Sequence, residues 1–122
     1  MLIYIIGSIT NDPDYREKFD KAEEMLRAES ACDVINPARR SPDLEPRIYA
    51  ELSHSAILKA DAIAYLWTTC MSFGATFEYR VAKAAGKEIY HITPEYKLIS
   101  ERQIESDRRA RAAREAKGED AP

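Results

Sequence analysis

The chain has 122 residues, 45% of them hydrophobic, and a formal net charge of −3. That length suits one domain with a modest core, and the slightly acidic balance argues against direct nucleic-acid binding through a positive face. No apolar run approaches the roughly 18 to 20 residues of a membrane span. Cys32 and Cys70, with His54 and His91 far from them, form neither a metal-ligand spacing nor a disulfide framework. A protein of the reducing cytoplasm, with ordinary thiols and with no metal or other cofactor, is the expectation.

The amino terminus is apolar from Met1 onward and lacks the basic leader of a signal peptide. Leu2 to Ile6, closed by Gly7, reads as a central parallel strand. Asn11-Asp12-Pro13 reads as a helix start, with Asp12 as cap and Pro13 in the first position, where its missing N–H costs nothing. Tyr15, Phe19, Ala22 and Leu26 then fall on one helical face, opposite Glu17, Lys21, Glu24 and Glu29. A second strand runs from Cys32 to Ile35. Residues 36 to 47, with Pro37, Pro42 and Pro46 among Arg39, Arg40 and Arg47, make an extended surface loop long enough to serve a function. A second helix is predicted from about Pro46 to Ala60, with Ile48, Leu52 and Ala56 as its inner stripe.

Ala62 to Trp67 is the third strand, and Thr68 to Phe73 the loop that leads into a third helix. That helix, from about Gly74 to Ala85, is stopped by Gly86. Glu88 to Ile92 is the fourth strand. Beyond Pro94 the composition changes: residues 101 to 117 are rich in Arg, Glu and Ala, with Ile104 their one large aliphatic. This is a polyampholyte helix, exposed or docked in its first half and fraying beyond Lys117. The chain thus divides into an α/β domain over 1–93 and a charged C-terminal helix and tail over 94–122.

Alternating strands and helices with short links imply a doubly wound, Rossmann or flavodoxin-like parallel sheet. Right-handed crossovers give the strand order 2-1-3-4. Its switch point lies between strands one and three, so ligands belong at their carboxyl ends, where the loops Gly7 to Asn11 and Thr68 to Gly74 meet. Gly7 permits close backbone approach, and Ser8 and Thr10 offer hydroxyls; the same residues also make a plain strand-to-helix turn. Ser72 stands before a helix, where it either holds an anion or simply caps. Glu78, on the second turn, is either a solvated dipole partner or, where the small Gly74 leaves space, a carboxylate facing the crevice and favoured in its ionised form. Tyr4 is a core residue whose hydroxyl can reach the crevice, and Trp67 either stacks on a base or forms the rim of the core. Asp61 opens strand three, at the end away from the switch point, and reads as structural; His54 on the second helix reads as a surface or packed residue.

Tyr4-Ile5-Ile6-Gly7-Ser8-Ile9-Thr10 and Ser72-Phe73-Gly74-Ala75-Thr76-Phe77-Glu78 resemble the nucleoside 2-deoxyribosyltransferase superfamily. The serine six residues before the glutamate is most similar to its branch of 2′-deoxynucleoside 5′-monophosphate N-glycosidases, and the layout resembles the small phage and prophage proteins of that superfamily. The resemblance covers about residues 2 to 92. It implies Glu78 as the nucleophile that attacks the anomeric carbon, Tyr4 as the residue positioning it, and Ser72, Ser8 and the Gly7 backbone as holders of a 5′-phosphate. The chemistry parallels retaining glycoside hydrolysis.

Two positions depart from the pattern. Thr10 stands where the branch carries an arginine, and Ser53, beside His54, stands where it carries the acid that assists the leaving base. His54 or a loop residue then substitutes as acid, or the acid is missing, and Arg39, Arg40 or Arg47 are candidates to replace the arginine. The resemblance also implies a homodimer acting on a small nucleotide or nucleoside, with no membrane partner, in the cytoplasm (the host's, for a phage-encoded chain). The alternatives are a catalytically degenerate nucleotide-binding or host-interaction protein, and an interaction protein working through its C-terminal helix.

Overall fold

The computed structural model describes residues 1–10, 12–30, 32–67 and 72–118. The apolar run Leu2–Ile6 forms β1, which is buried from Ile3 onward because it has a parallel neighbour on each side. Its neighbours are β2, Asp33–Ile35, and β3, Ala62–Leu66. β3 in turn pairs in parallel with β4, Glu88–Ile92. The helices α1, Tyr15–Ser30, α2, Pro46–Lys59, and α3, Phe73–Ala84, connect the strands. The expected doubly wound order is borne out and extended by one strand: β5, Leu98–Ser100, lies antiparallel to β4, giving β2-β1-β3-β4-β5. The helix α4, Glu101–Lys117, follows directly, and only Glu101, Ile104 and Glu105 on it are partly covered.

The two-residue period of the strands sorts the core into two layers. Ile3, Ile5, Ala64 and Leu66 pack with Phe19, Ala22 and Leu26 of α1. Tyr4, Ile6, Ile63 and Tyr65 face the other way, onto Ala56 and Ile57 of α2 and Ala75 and Ala82 of α3. The alternation therefore puts Tyr4 on the same side of the sheet as α2 and α3.

Three local expectations need correction. α1 starts at Tyr15, two residues beyond Pro13: the Asp12 carboxylate accepts from Asp14 N at 3.0 Å and from Lys18 Nζ at 2.8 Å, closing a turn ahead of the helix. On α2 the buried residues are Ser53, Ala56 and Ile57, whereas Leu52 is 45% exposed. The polar Ser53 turns inward because it has polar partners there. The loop after β2 is not extended throughout, since Asn36 accepts from Ala38 N at 3.0 Å and caps a 3-10 turn over Pro37–Arg39.

β5 follows a tight turn in which Thr93 N donates to Lys97 O at 2.9 Å and Tyr96, not a glycine, takes a positive φ of 59°. Cys32 is buried and its thiol contacts Leu26 O at 3.6 Å; Cys70, with Asn11 and most of the loop before α3, lies outside the described residues. Among the described residues, no helix is long and apolar enough to cross a membrane.

Candidate functional site

A cleft of about 570 Å³ opens at the carboxyl ends of β1 and β3. Its walls come from the loop after β1, the proline-rich loop after β2, α2 and the start of α3. Tyr4 lies beneath its floor, fully buried, with its hydroxyl 3.1 Å from Ser53 Oγ on α2 and 3.3 Å from Glu78 Oε2 on α3. One phenolic proton thus has two acceptors. From the other side Arg40 Nη1 donates to Ser53 Oγ at 2.7 Å. The Arg40 guanidinium also stacks over Tyr49, 4.7 Å from the ring centroid, and stands 5.9 Å from that of Tyr4.

Burial dominates the protonation of this group. It pushes the Glu78 carboxyl up to about 7, against the hydroxyls of Ser53 and Tyr4 and the Arg40 charge, which all hold it down. A position near a helix start led to the expectation of a readily ionised carboxylate; desolvation outweighs that preference. The same burial, reinforced by Glu78, raises the Tyr4 phenol far above its ordinary value and pushes Tyr49 up to about 12. Tyr4 therefore remains a hydrogen-bond donor.

Of the residues singled out from the sequence, Gly7, Thr10, His54, Ser72, Gly74 and Glu78 all line the cleft. Ser8 lies behind it, 1% exposed, where its Oγ accepts from Ser72 N at 2.8 Å and ties the two loops together. Ser72 caps α3, accepting from Ala75 N at 3.1 Å. Its own hydroxyl proton and the amides of Phe73 and Gly74, which have no acceptor within the helix, remain suited to an anion. Gly7 answers a packing demand as well, because a Cβ there would stand 2.8 Å from Phe19 Cζ and 3.3 Å from Leu66 Cβ.

Trp67 stands apart from the cleft, its indole N–H donating to His91 Nδ1 at 2.8 Å. Asp61 is structural, as expected, accepting from Leu2 N at 2.8 Å. The three loop arginines separate. Arg39 pairs with the buried Glu23 at 2.8 Å, Arg47 lies exposed outside the lining, and Arg40 faces the cleft. Tyr49 and the structural part of Ser53 escaped the sequence reading. Their signal was the spacing Tyr49, Ser53, Ile57, a step of four that marks one helical face.

A family model described as a domain of unknown function (DUF4406) matches residues 1–91. No curated protein matches the chain in sequence. Among solved structures, the CMP N-glycosidase BcmB of Clostridium botulinum superposes with a TM-score of 0.57 at 19% identity, over 75% of this chain and 70% of its own. The 2-desoxiribosyltransferase from Leishmania mexicana superposes with a TM-score of 0.58 at 18% identity. That alignment covers 75% of this chain and 65% of the Leishmania chain, so this chain spans less than two thirds of its length. At these identities what is shared is the fold.

Proposed function

The chain belongs to the DUF4406 family, and we propose that its cleft breaks or exchanges the N-glycosidic bond of a nucleoside or nucleotide, with Glu78 as the nucleophile. The observation that carries this reading is the half-buried Glu78 carboxylate set at the cleft floor against Tyr4 and Ser53. A carboxylate held by hydroxyl donors, with its pKa near neutrality, is poised between ionisation for attack and burial for contact with a cationic sugar. The two superposed proteins, named as an N-glycosidase and a deoxyribosyltransferase, supply the analogy of reaction.

A 5′-monophosphate is the substrate form that the α3 amino terminus favours. Gly74 and Glu78 are four residues apart, about 6 Å of helix rise, a span suited to a sugar between a phosphate at the first amides and an anomeric carbon at the carboxylate. Tyr4 positions Glu78, while Ser72, Gly74 and the Gly7 loop receive the phosphate. The exposed Phe73, at 89%, and Phe77, at 51%, border the cleft and supply the apolar surface for a homodimer. The test is chromatographic release of free base from 2′-deoxynucleoside 5′-monophosphates and the matching nucleosides, beside Glu78→Ala. Release that requires Glu78 supports the proposal; silence across the panel from folded protein overturns it.

Ser53 supports a second reading, a nucleotide-binding protein without turnover, since its hydroxyl is no substitute for a carboxylic acid. That reading expects measurable nucleotide affinity, equal in Glu78→Ala, and no base release.

A further inference from the structure

We infer that Arg40 carries the charge of the departing base in place of a carboxylic acid, so that the cleft selects nucleotides whose base leaves as a stabilised anion. The inference rests on the N-glycosidic reading above and names its substrate class: 2-oxopyrimidines such as uracil and thymine.

The position of Arg40 is built by the protein. The 3-10 turn closes with Arg40 N donating to Pro37 O at 3.1 Å, and the preceding Arg39 is drawn the other way onto Glu23. Ser53 Oγ takes one Nη1 hydrogen and Tyr49 supports the guanidinium plane. Nη1 is thus committed to Ser53 and the Tyr49 hydroxyl also bonds the guanidinium. The N–H donors of the fork beyond these two contacts are offered to a ligand in the cleft that Arg40 lines. With the phosphate at the α3 amino terminus and the anomeric carbon at Glu78, the base extends towards α2, where Arg40, Tyr49 and Ser53 stand.

A guanidinium stays protonated and gives no proton away. It stabilises negative charge instead, as donors aimed at a developing anion do. His54 also lines the cleft but is exposed, one residue and thus about 100° of helical turn from Ser53. Among the described residues it takes no part in the Tyr4–Ser53–Arg40–Glu78 network. The reaction then balances without an acid. The C1′–N bond breaks, and its electron pair passes to the ring nitrogen and the adjacent carbonyl oxygen, which faces Arg40. Glu78 closes an ester to C1′. Water protonates the released base, and the hydroxide left behind takes up the proton set free when a second water hydrolyses the ester and restores the Glu78 carboxylate. Bases with a carbonyl beside the glycosidic nitrogen and an acidic ring N–H suit this route, whereas adenine, which departs best when protonated, does not.

The test is a leaving-group series on the full chain: the 2′-deoxynucleoside 5′-monophosphates of 5-fluorouracil, uracil, thymine, cytosine and adenine, with p-nitrophenyl 2-deoxyriboside 5-phosphate as an activated reference. Among the pyrimidines, wild type is expected to release bases faster as the free base becomes more acidic, with cytosine slowest. Adenine, which offers Arg40 no carbonyl oxygen, is expected to leave more slowly than uracil whatever its acidity. Arg40→Ala is expected to lose on the order of 10²-fold on uracil and thymine and markedly less on nitrophenolate, which feels only the weaker support that Arg40 gives to ionised Glu78. Arg40→Lys, which keeps charge without the planar fork, is expected to fall between. Adenine released as fast as uracil, or an Arg40 variant slowed equally on nitrophenolate and uracil, overturns the inference and leaves the N-glycosidic reading standing. Loss of base release in His54→Gln but not in Arg40→Ala also overturns it. No release of nitrophenolate or of any base by wild type overturns the underlying reading itself. The wild-type series decides even where Arg40→Ala does not fold.

Discussion

The Tyr4 hydroxyl lies 3.3 Å from Glu78 Oε2, joining the first strand to the third helix across 74 positions of sequence. Burial raises the Glu78 carboxyl to about 7, and this hydrogen bond is among the contacts that oppose the rise. Attack on a sugar needs the ionised form, so kcat/KM is expected to fall on the acid side with a midpoint near 7. Tyr4→Phe removes a donor that favours the carboxylate and moves that limb to higher pH. The pH–rate profiles of the two proteins check this, and an unmoved limb in Tyr4→Phe contradicts it.

Stability carries the same signature with a definite sign. The folded pKa of Glu78, about 7, lies above its ordinary 4.5, so the folded state holds the proton more tightly between those values. Wild-type stability from this group therefore falls as pH rises through that window and stays low above it. Glu78→Gln, which has no proton to lose, is expected to gain on wild type as the pH is raised from 4 to 8. Denaturant unfolding at both ends measures it; a constant difference between the proteins at all pH values goes against the account.

Gly7 is required by packing. A Cβ there meets Phe19 Cζ at 2.8 Å in a fully buried layer, so Gly7→Ala is expected to cost about 1–3 kcal/mol by overpacking. Adding Phe19→Leu to that variant recovers part of the loss, which a double-mutant cycle of melting curves reads as a coupling energy.

Ser72 has a structural part and a proposed chemical one, and they separate experimentally. Loss of the cap in Ser72→Ala is expected to cost about 1 kcal/mol. Loss of a phosphate contact reduces the preference for a monophosphate over its nucleoside, while Ser72→Thr keeps both. A variant that loses stability alone assigns Ser72 to capping and removes it from the substrate site.

Phe73 and Phe77 on the first turns of α3 expose large apolar surface beside the cleft. Phe77→Asp is expected to shift a homodimer towards monomer in sedimentation and to raise KM if the second copy helps close the cleft. A wild-type chain that sediments as a monomer at all concentrations rules out the dimer.

The sheet order and the ends of the cleft were legible because buried parallel strands are continuous apolar runs and their period is short. Gly7, Ser72 and Glu78 followed from the place where two loops must meet. Other features depend on tertiary partners. Ser53 reads as a missing acid in the sequence but serves in the fold as the shared partner of Tyr4 and Arg40. Leu52 reads as core but faces outward, since Ser53, Ala56 and Ile57 set the buried face of α2. Arg39 and Arg40 are indistinguishable in composition; the buried Glu23 on α1, opposite one of them, sends only the other to the cleft. β5 was hidden because three residues just after Pro94 carry little periodicity, and its turn uses Tyr96 where a glycine signal is usual.

The central claim, that Glu78 bonds to the sugar, is tested most directly by trapping the ester. A 2′-fluoro-arabinonucleoside 5′-monophosphate slows the second step through its electron-withdrawing substituent, and intact-mass measurement followed by peptide mapping locates the adduct. The account predicts a mass gain equal to the fluorosugar phosphate, mapped to Glu78 and lost in Glu78→Ala. Base release with no adduct, or an adduct on another residue, contradicts it.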